Sequence, residues 1–308
     1  MRKIIFLTLT IIVIPFVIVN FFNLDSREEI KLNYESNTII RVKRLSSGEI
    51  QYLPFEEYIV GVLAGEMPIY FEEEAFKAQA VAARSYALKK IEYNKDNDYD
   101  VVDSILNQVY LDNYYLNDAW GSKYVDNISK LRKIVNDTSL EYLEYNGEVV
   151  DALFFSTSNG YTENSSLVFN IDLPYLQSVS SMWDSSTSSA FRSTKSISLE
   201  KFYSLLGIDY SNILDFKVLK RSSTNRVLNV SINGIEFTGR DMYDKLGLRS
   251  TDFSLKQDGN NIIIDMVGYG HGVGMSQYGA QGMAIEGYSY KEILSHYYVG
   301  TSVKKMLN

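Results

Sequence analysis

Cysteine is absent from the 308 residues, so no disulfide braces this chain and no thiolate can ligate a metal ion. Its stability has to come from the core alone. Histidine occurs only twice, as His271 and His296, and proline only 4 times. Positive charge is also short: 30 lysines and arginines against 38 acidic residues give a net charge of -8. That leaves no basic surplus to neutralise phosphates, which argues against a nucleic-acid partner. No internal repeat is visible. What the chain does have is apolar mass, 45% hydrophobic and 13% aromatic, enough for one large domain or two smaller ones.

One run is long and apolar. Residues 4–22, behind Met1-Arg2-Lys3, are interrupted only by Thr8, Thr10, Pro15 and Asn20. A stretch of about 20 such residues crosses a bilayer, and the leading positive charges hold the N-terminus in the cytoplasm. A cleaved signal peptide is the rival reading, but the run is long for one and Phe21-Phe22-Asn23-Leu24-Asp25 offers no small-x-small cleavage site. The expected organisation is a cytoplasmic stub and transmembrane anchor at 1–23, a charged tether at 24–37 and an extracytoplasmic domain at 38–308.

Local patterning predicts strands at 39–42 and 50–53 around the turn Ser46-Ser47-Gly48. Pro54 then opens a helix over 55–64, with Glu56 and Glu57 in the first turn where the helix dipole favours them. It buries Tyr58, Ile59, Val62 and Leu63 and ends near Gly65. A second helix over 72–94 carries Ala75, Ala78, Ala82 and Ser85 at spacings of three and four, a small-residue stripe suited to close packing. Asn146-Gly147 marks a hairpin between 141–145 and 149–155. Further strands are expected at 216–221, 227–232 and 261–267, short helices at 198–205, 239–246 and 290–297, and a serine-rich surface loop at 178–189. The fold class is α+β, a helical region near Glu66 packed on a β-rich remainder, with the N-terminal transmembrane helix in addition.

Three segments are rich in small and polar residues. The first is Gly61-Val62-Leu63-Ala64-Gly65-Glu66-Met67-Pro68, which sets one carboxylate among apolar neighbours. Burial disfavours a charged carboxylate and raises its pKa, so Glu66 is a candidate proton donor. The second is Ser156-Thr157-Ser158-Asn159-Gly160-Tyr161-Thr162-Glu163-Asn164, and the third runs from Gly268 through His271, Gly274, Ser276, Gln277 and Tyr278 to Gly282. Glycines so dense suggest unusual backbone torsions or a surface that a ligand approaches closely. A serine hydrolase built on His271 lacks the Gly-x-Ser-x-Gly elbow. Asp96-Asn97-Asp98-Tyr99-Asp100 fails as a calcium loop, since Val101 and Asn107 stand where Gly and Glu are needed.

At these residues the chain resembles the stage II sporulation protein D family and its amidase-enhancer relatives. The resemblance continues through Asp100 to Tyr110, Pro174 to Val179 and His296-Tyr297-Tyr298-Val299-Gly300-Thr301. It implies a lytic transglycosylase that cuts peptidoglycan glycan strands, prefers strands stripped of peptide, and works with an amidase and endopeptidase partner and membrane engulfment proteins during sporulation. Glu66 falls on the family's catalytic glutamate. It would protonate the oxygen between N-acetylmuramic acid and N-acetylglucosamine, then take a proton from the muramic C6 hydroxyl as a 1,6-anhydro ring closes. One carboxylate then suffices where ordinary glycosidases need two. Met67, Tyr70 and Phe71 are expected to shield it. Lys77, Gln79, Arg84, Ser156, Ser158, His271, Ser276, Gln277 and Tyr278 are the candidate sugar-binding residues. Some members bind zinc through His and Cys near the Ser-Thr-Ser-Asn segment; without cysteine, neither metal nor cofactor is expected here. The alternative function is a non-catalytic, murein-binding activator of a partner amidase.

Overall fold

The buried apolar side chains sort into two separate clusters, and the chain enters the second one only once. In the computed structural model, which describes residues 29–33 and 35–306, the larger cluster runs from Leu32 to Leu176 and resumes at Val273. The smaller lies wholly between Ile197 and Met266. The molecule is thus a first lobe into which a second, β-rich lobe is inserted.

The first lobe is built around a long helix. Strands β1 (Ile39–Lys43) and β2 (Ile50–Pro54) pair antiparallel, with Val42 opposite Gln51, and β3 (Val101–Val102) joins β1 in parallel. Helix α1 (Phe55–Glu66) follows β2 directly: Pro54 is its N-cap, has no N–H to leave unsatisfied at the junction, and the Phe55 N–H donates to the Thr38 carbonyl at 3.0 Å. Helix α2 (Glu73–Tyr93) is buried along most of its length, and its alanines at 75, 78, 80, 82, 83 and 87 are fully covered. Side chains this small let α1, helix α3 (Asn113–Trp120), helix α4 (Tyr124–Asp137) and the C-terminal elements gather around it, with α1 and α4 in direct contact with α2. Strand β4 (Glu141–Tyr145) crosses the same helix.

β4 turns through Asn146 and Gly147, both at positive φ, into β5 (Glu148–Val149), which is the expected hairpin in shortened form. The chain beyond β5 does not continue that hairpin. β6 (Phe154–Phe155) instead pairs in parallel with β13 (Met275–Ser276), placing Phe154 opposite Met275. This non-local pairing brings the Ser156-to-Asn164 segment to the glycine-rich one. A short helix α5 (Ser165–Phe169) and a turn of helix α6 (Asp184–Thr187) close the segment.

The inserted lobe holds two three-stranded antiparallel sheets. One is ordered β11 (Phe253–Asp258), β12 (Asn261–Val267), β7 (Arg192–Ser198); the other is β10 (Ile235–Thr238), β9 (Val227–Ile232), β8 (Phe216–Arg221). Helices α7 (Leu199–Leu206) and α8 (Gly239–Leu246) cover them, and α8 starts with a reciprocal cap between Thr238 and Asp241. The chain then returns to the first lobe as β13, α9 (Gln277–Ile285), α10 (Tyr290–Tyr297) and β14 (Ser302–Lys305), which pairs with β4.

The mixed α+β class agrees with the sequence. Strands 216–221, 227–232 and 261–267 and helices 239–246 and 290–297 fall where the pattern put them. The 178–189 segment does so only in part: Ser180, Met182, Ser185, Ser186 and Ser189 are exposed, but Ser181, Asp184 and Ser188 are buried. No helix among the described residues is long and apolar enough to cross a membrane; the run at 4–22 lies outside them.

Candidate active site

Glu66 is the last residue of α1, and two glycines explain its surroundings. Gly61 and Gly65 are four apart, so they share one face of the helix. A Cβ at Gly65 would stand 2.6 Å from the Val109 carbonyl oxygen, and one at Gly61 would stand 2.3 Å from the Tyr110 ring. The stretch from Asn107 to Leu111 can therefore lie flat on α1, where Leu111 N–H donates to the Gly61 carbonyl at 3.2 Å. The same approach delivers the Val109 N–H to Glu66 Oε1 at 2.7 Å. From the other side, Gln277 Nε2 donates to Oε2 at 3.2 Å.

Burial pushes the Glu66 pKa up, while the Val109 and Gln277 hydrogen bonds pull it back by favouring the charged form. The carboxyl also sits at the C-terminal end of α1, where no basic residue occupies the last turn and the dipole disfavours negative charge. No other carboxylate is among the groups that move its ionisation. Part of the side chain remains open to solvent, so the site pairs a desolvated acid with access.

The wall beside it is aromatic. Met67 and Phe71 are buried, as expected for a shield, whereas Tyr70 is 68% exposed. Phe71 meets Tyr278 edge-on at 5.0 Å between ring centres and Tyr70 at 5.3 Å. Lys130 of α4 holds this turn by donating to the Ile69 and Phe71 carbonyls at 2.8 and 2.6 Å. Nothing in the local sequence signals Lys130, since its partners are main-chain groups 61 and 59 residues away.

Gln277 is aimed by a buried acid that sequence reasoning also missed. Asp184 accepts from the Ser158 N–H at 2.8 Å, from Ser158 Oγ at 2.9 Å, from Ser181 Oγ at 2.6 Å, and from Ser276 Oγ. Burial raises its pKa against the pull of these bonds. Ser276 caps α9 by accepting from Gly279 N–H at 3.3 Å, so Asp184 fixes the residue immediately before Gln277. Ser158 and Ser276, both fully buried, are spent on this network. Ser156 bonds to it through its carbonyl, which accepts from Ser276 Oγ at 3.3 Å and Tyr278 N–H at 3.1 Å.

The structure brings Glu66, Gln277 and Tyr278 together but not the three helix α2 candidates. Arg84 has no exposed surface; its Nε and Nη2 grip Glu56 at 3.0 and 2.8 Å and its Nη1 donates to the Glu141 carbonyl at 2.8 Å. Lys77 pairs with Glu74 at 2.9 Å and Asp137 at 3.6 Å. Gln79 is fully buried, and its amide lacks a hydrogen-bond partner at both Nε2 and Oε1. Arg84 and Lys77 thus tie α2 to α1, β4 and α4, the scaffold on which Glu66 is mounted.

His271 is committed too. Its Nε2–H donates to the Phe154 carbonyl at 3.0 Å, and Nδ1 accepts from Val273 N–H at 3.1 Å. That arrangement requires the neutral imidazole. Burial, aided by the Arg226 charge, lowers its pKa to about 4. The ring lines a separate cleft of about 420 Å³ between the lobes, whose walls do not include Glu66.

The residues gathered here, Glu66 at the end of α1 with Gln277 from the glycine-rich segment, are those that carry the family resemblance in the sequence. The SpoIID model, described as a stage II sporulation protein, matches residues 44–145. Stage II sporulation protein D of Bacillus amyloliquefaciens is 40% identical over 276 residues, covering 88% of this chain and 80% of that protein. The protein of the same name from Bacillus subtilis (strain 168) is 39% identical over 272 residues, 86% of this chain and 79% of its own length. The amidase enhancer of Bacillus subtilis is 30% identical over 297 residues, 79% of this chain but 40% of the longer protein. This chain belongs to the stage II sporulation protein D family.

Proposed function

We propose that the chain is a membrane-anchored lytic transglycosylase that cuts the glycan strands of peptidoglycan during sporulation. The observation that carries this reading is Glu66: a partly open carboxyl whose pKa burial raises, with no second carboxylate acting on it. A water-using glycosidase needs two carboxyl groups, one to protonate the leaving oxygen and one to act as nucleophile or activate water. A single acid suits an intramolecular displacement. Protonated Glu66 gives its proton to the glycosidic oxygen between N-acetylmuramic acid and N-acetylglucosamine. The resulting carboxylate, held by the Val109 and Gln277 donors, accepts the proton of the muramic C6 hydroxyl as that oxygen closes on C1. The proton count balances and the acid is restored.

Tyr70 and Tyr278 offer aromatic faces against which a sugar ring can lie. The anchor at 1–23, the outward-facing domain and an amidase or endopeptidase partner belong to the same proposal. The test incubates the full-length chain in detergent with peptide-free and peptide-bearing strands and identifies the new ends by mass spectrometry. Wild type should release 1,6-anhydro-muramic ends, preferentially from peptide-free strands. Glu66→Gln should lose at least about a hundredfold in rate, the usual worth of a general acid.

A second reading is supported by the relative named amidase enhancer, 30% identical over 79% of this chain. In it the same cleft binds murein without cutting it and stimulates a partner amidase. Binding without new ends from either protein, together with a faster amidase, would favour this reading over catalysis.

A further inference from the structure

The cleft between the lobes contains a buried guanidinium with an edge that makes no hydrogen bond. Arg226, immediately before β9, is 2% exposed and is one of the residues lining that cleft. Its Nη1 lies 3.4 Å from Ser250 Oγ, a weak contact, and its Nε and Nη2 have no hydrogen-bond partner at all. Both nitrogens are buried. Leaving a buried charged donor unpaired costs several kcal/mol in general, which makes this an arrangement that demands an offset.

Nε and Nη2 form one edge of the guanidinium, the fork that matches the two oxygens of a carboxylate. The same molecule shows that fork filled: Arg84, equally buried, uses Nε and Nη2 to hold both oxygens of Glu56. At Arg226 the fork's face, not its edge, is covered. A Cβ on Gly272 would stand 2.5 Å from Cζ, 2.5 Å from Nη2 and 2.7 Å from Nε, the pattern of an atom above the plane. An atom lying in the plane of the fork would be nearer the nitrogens than Cζ. Glu163, a buried acid on the same cleft wall, acts on the Arg226 charge without bonding its edge; its Oε1 accepts from Asn164 N–H and its Oε2 from Thr224 Oγ1.

We propose that this cleft is a carboxylate-binding site, with Arg226 as its anchor, for a ligand of monosaccharide or dipeptide size. The about 420 Å³ is too large for a bare acetate, and its rim supplies Asn229 and Thr251 for hydroxyl or amide groups and the Tyr243 ring for an apolar face. Arg240, half exposed and also on the rim, is paired with Asp244 at 2.8 Å through Nε, and its guanidinium lies over the Tyr243 ring. A small rotation of the Arg226 side chain presents its fork to a carboxylate in the cleft. The inference is independent of Glu66 chemistry.

The full-length chain in detergent is titrated calorimetrically with N-acetylmuramic acid, with N-acetylglucosamine, which lacks the lactyl carboxylate, and with D-alanyl-D-alanine. One carboxylate ligand should bind saturably, N-acetylglucosamine at least about tenfold more weakly, and the binding should persist in Glu66→Gln. Arg226→Met should weaken the carboxylate ligand at least tenfold, and Arg240→Ala, on an exposed side chain that threatens no core, a few-fold. Binding by the dipeptide alone would support the site and name a peptide terminus as its source. Equal binding of both sugars, binding indifferent to both arginine variants, or no binding by either carboxylate ligand would overturn it.

Discussion

Arg84 and Arg226 are both arginines with almost no exposed surface, one in each half of the molecule, and their circumstances are opposite. Arg84 sits inside the helical lobe with every donor edge occupied, gripping Glu56 from α1 and the Glu141 carbonyl from β4. Arg226 sits at the boundary of the inserted lobe with its best edge empty. Burial alone therefore says nothing about whether a charge is structural. A filled fork ties α1, α2 and β4 into one body; an empty one marks a place where the protein accepts instability for something it holds.

The largest effect should come from breaking the filled pair. Arg84→Met strands Glu56 and should cost about 3–5 kcal/mol in denaturant unfolding, whereas Arg226→Met breaks no bidentate pair and leaves Glu163 its Asn164 and Thr224 donors, so it should cost clearly less. Equal losses would erase the distinction. Next comes His271, whose neutral form is built into the wall beside Arg226. Its folded pKa of about 4 lies below the unfolded value of about 6.5, so the unfolded chain binds the extra proton first as pH falls. Stability should be complete above pH about 6.5 and drop by up to about 1.4 kcal/mol per pH unit down to about 4, a slope that His271→Gln should flatten.

Smaller effects belong to the Glu66 side. Gly65→Ala drives a methyl group into the Val109 carbonyl, 2.6 Å away, and should destabilise by about 1–3 kcal/mol while loosening the Glu66 hydrogen bond. Gln277→Leu removes a donor that favours the charged carboxylate, so the Glu66 pKa should rise further. Activity that depends on the protonated acid should then persist to higher pH, its alkaline limb moving up by about one unit. A downward shift would mean that Gln277 does not touch the acid.

The sequence exposed Glu66 readily, because an acid between Gly65 and Met67-Pro68 is out of place locally. It also exposed the strands at 216–221, 227–232 and 261–267, short apolar runs bounded by turn residues such as Asn233-Gly234 and Asp258-Gly259. What it hid was long-range. The donors to Glu66 come from Val109 and Gln277, 43 and 211 residues away. Asp184 lay in a serine-rich run that reads as surface until the serines are seen to be its hydrogen-bond partners. Arg84 and Lys77 carry charges suited to a sugar groove, and only the positions of Glu56, Glu74 and Asp137 show those charges already spent. Arg226 gave no signal at all, since an unpaired fork is an absence that no residue pattern records.

If Glu66 is the sole acid of a reaction in which water takes no part, the new glycan ends contain no oxygen from solvent. The most direct measurement digests peptide-free glycan strands with the full-length chain in water enriched in heavy oxygen and weighs the new muramic ends. Anhydro ends carrying no heavy oxygen, formed by wild type and not by Glu66→Gln, are the predicted result; reducing ends labelled with solvent oxygen would contradict it.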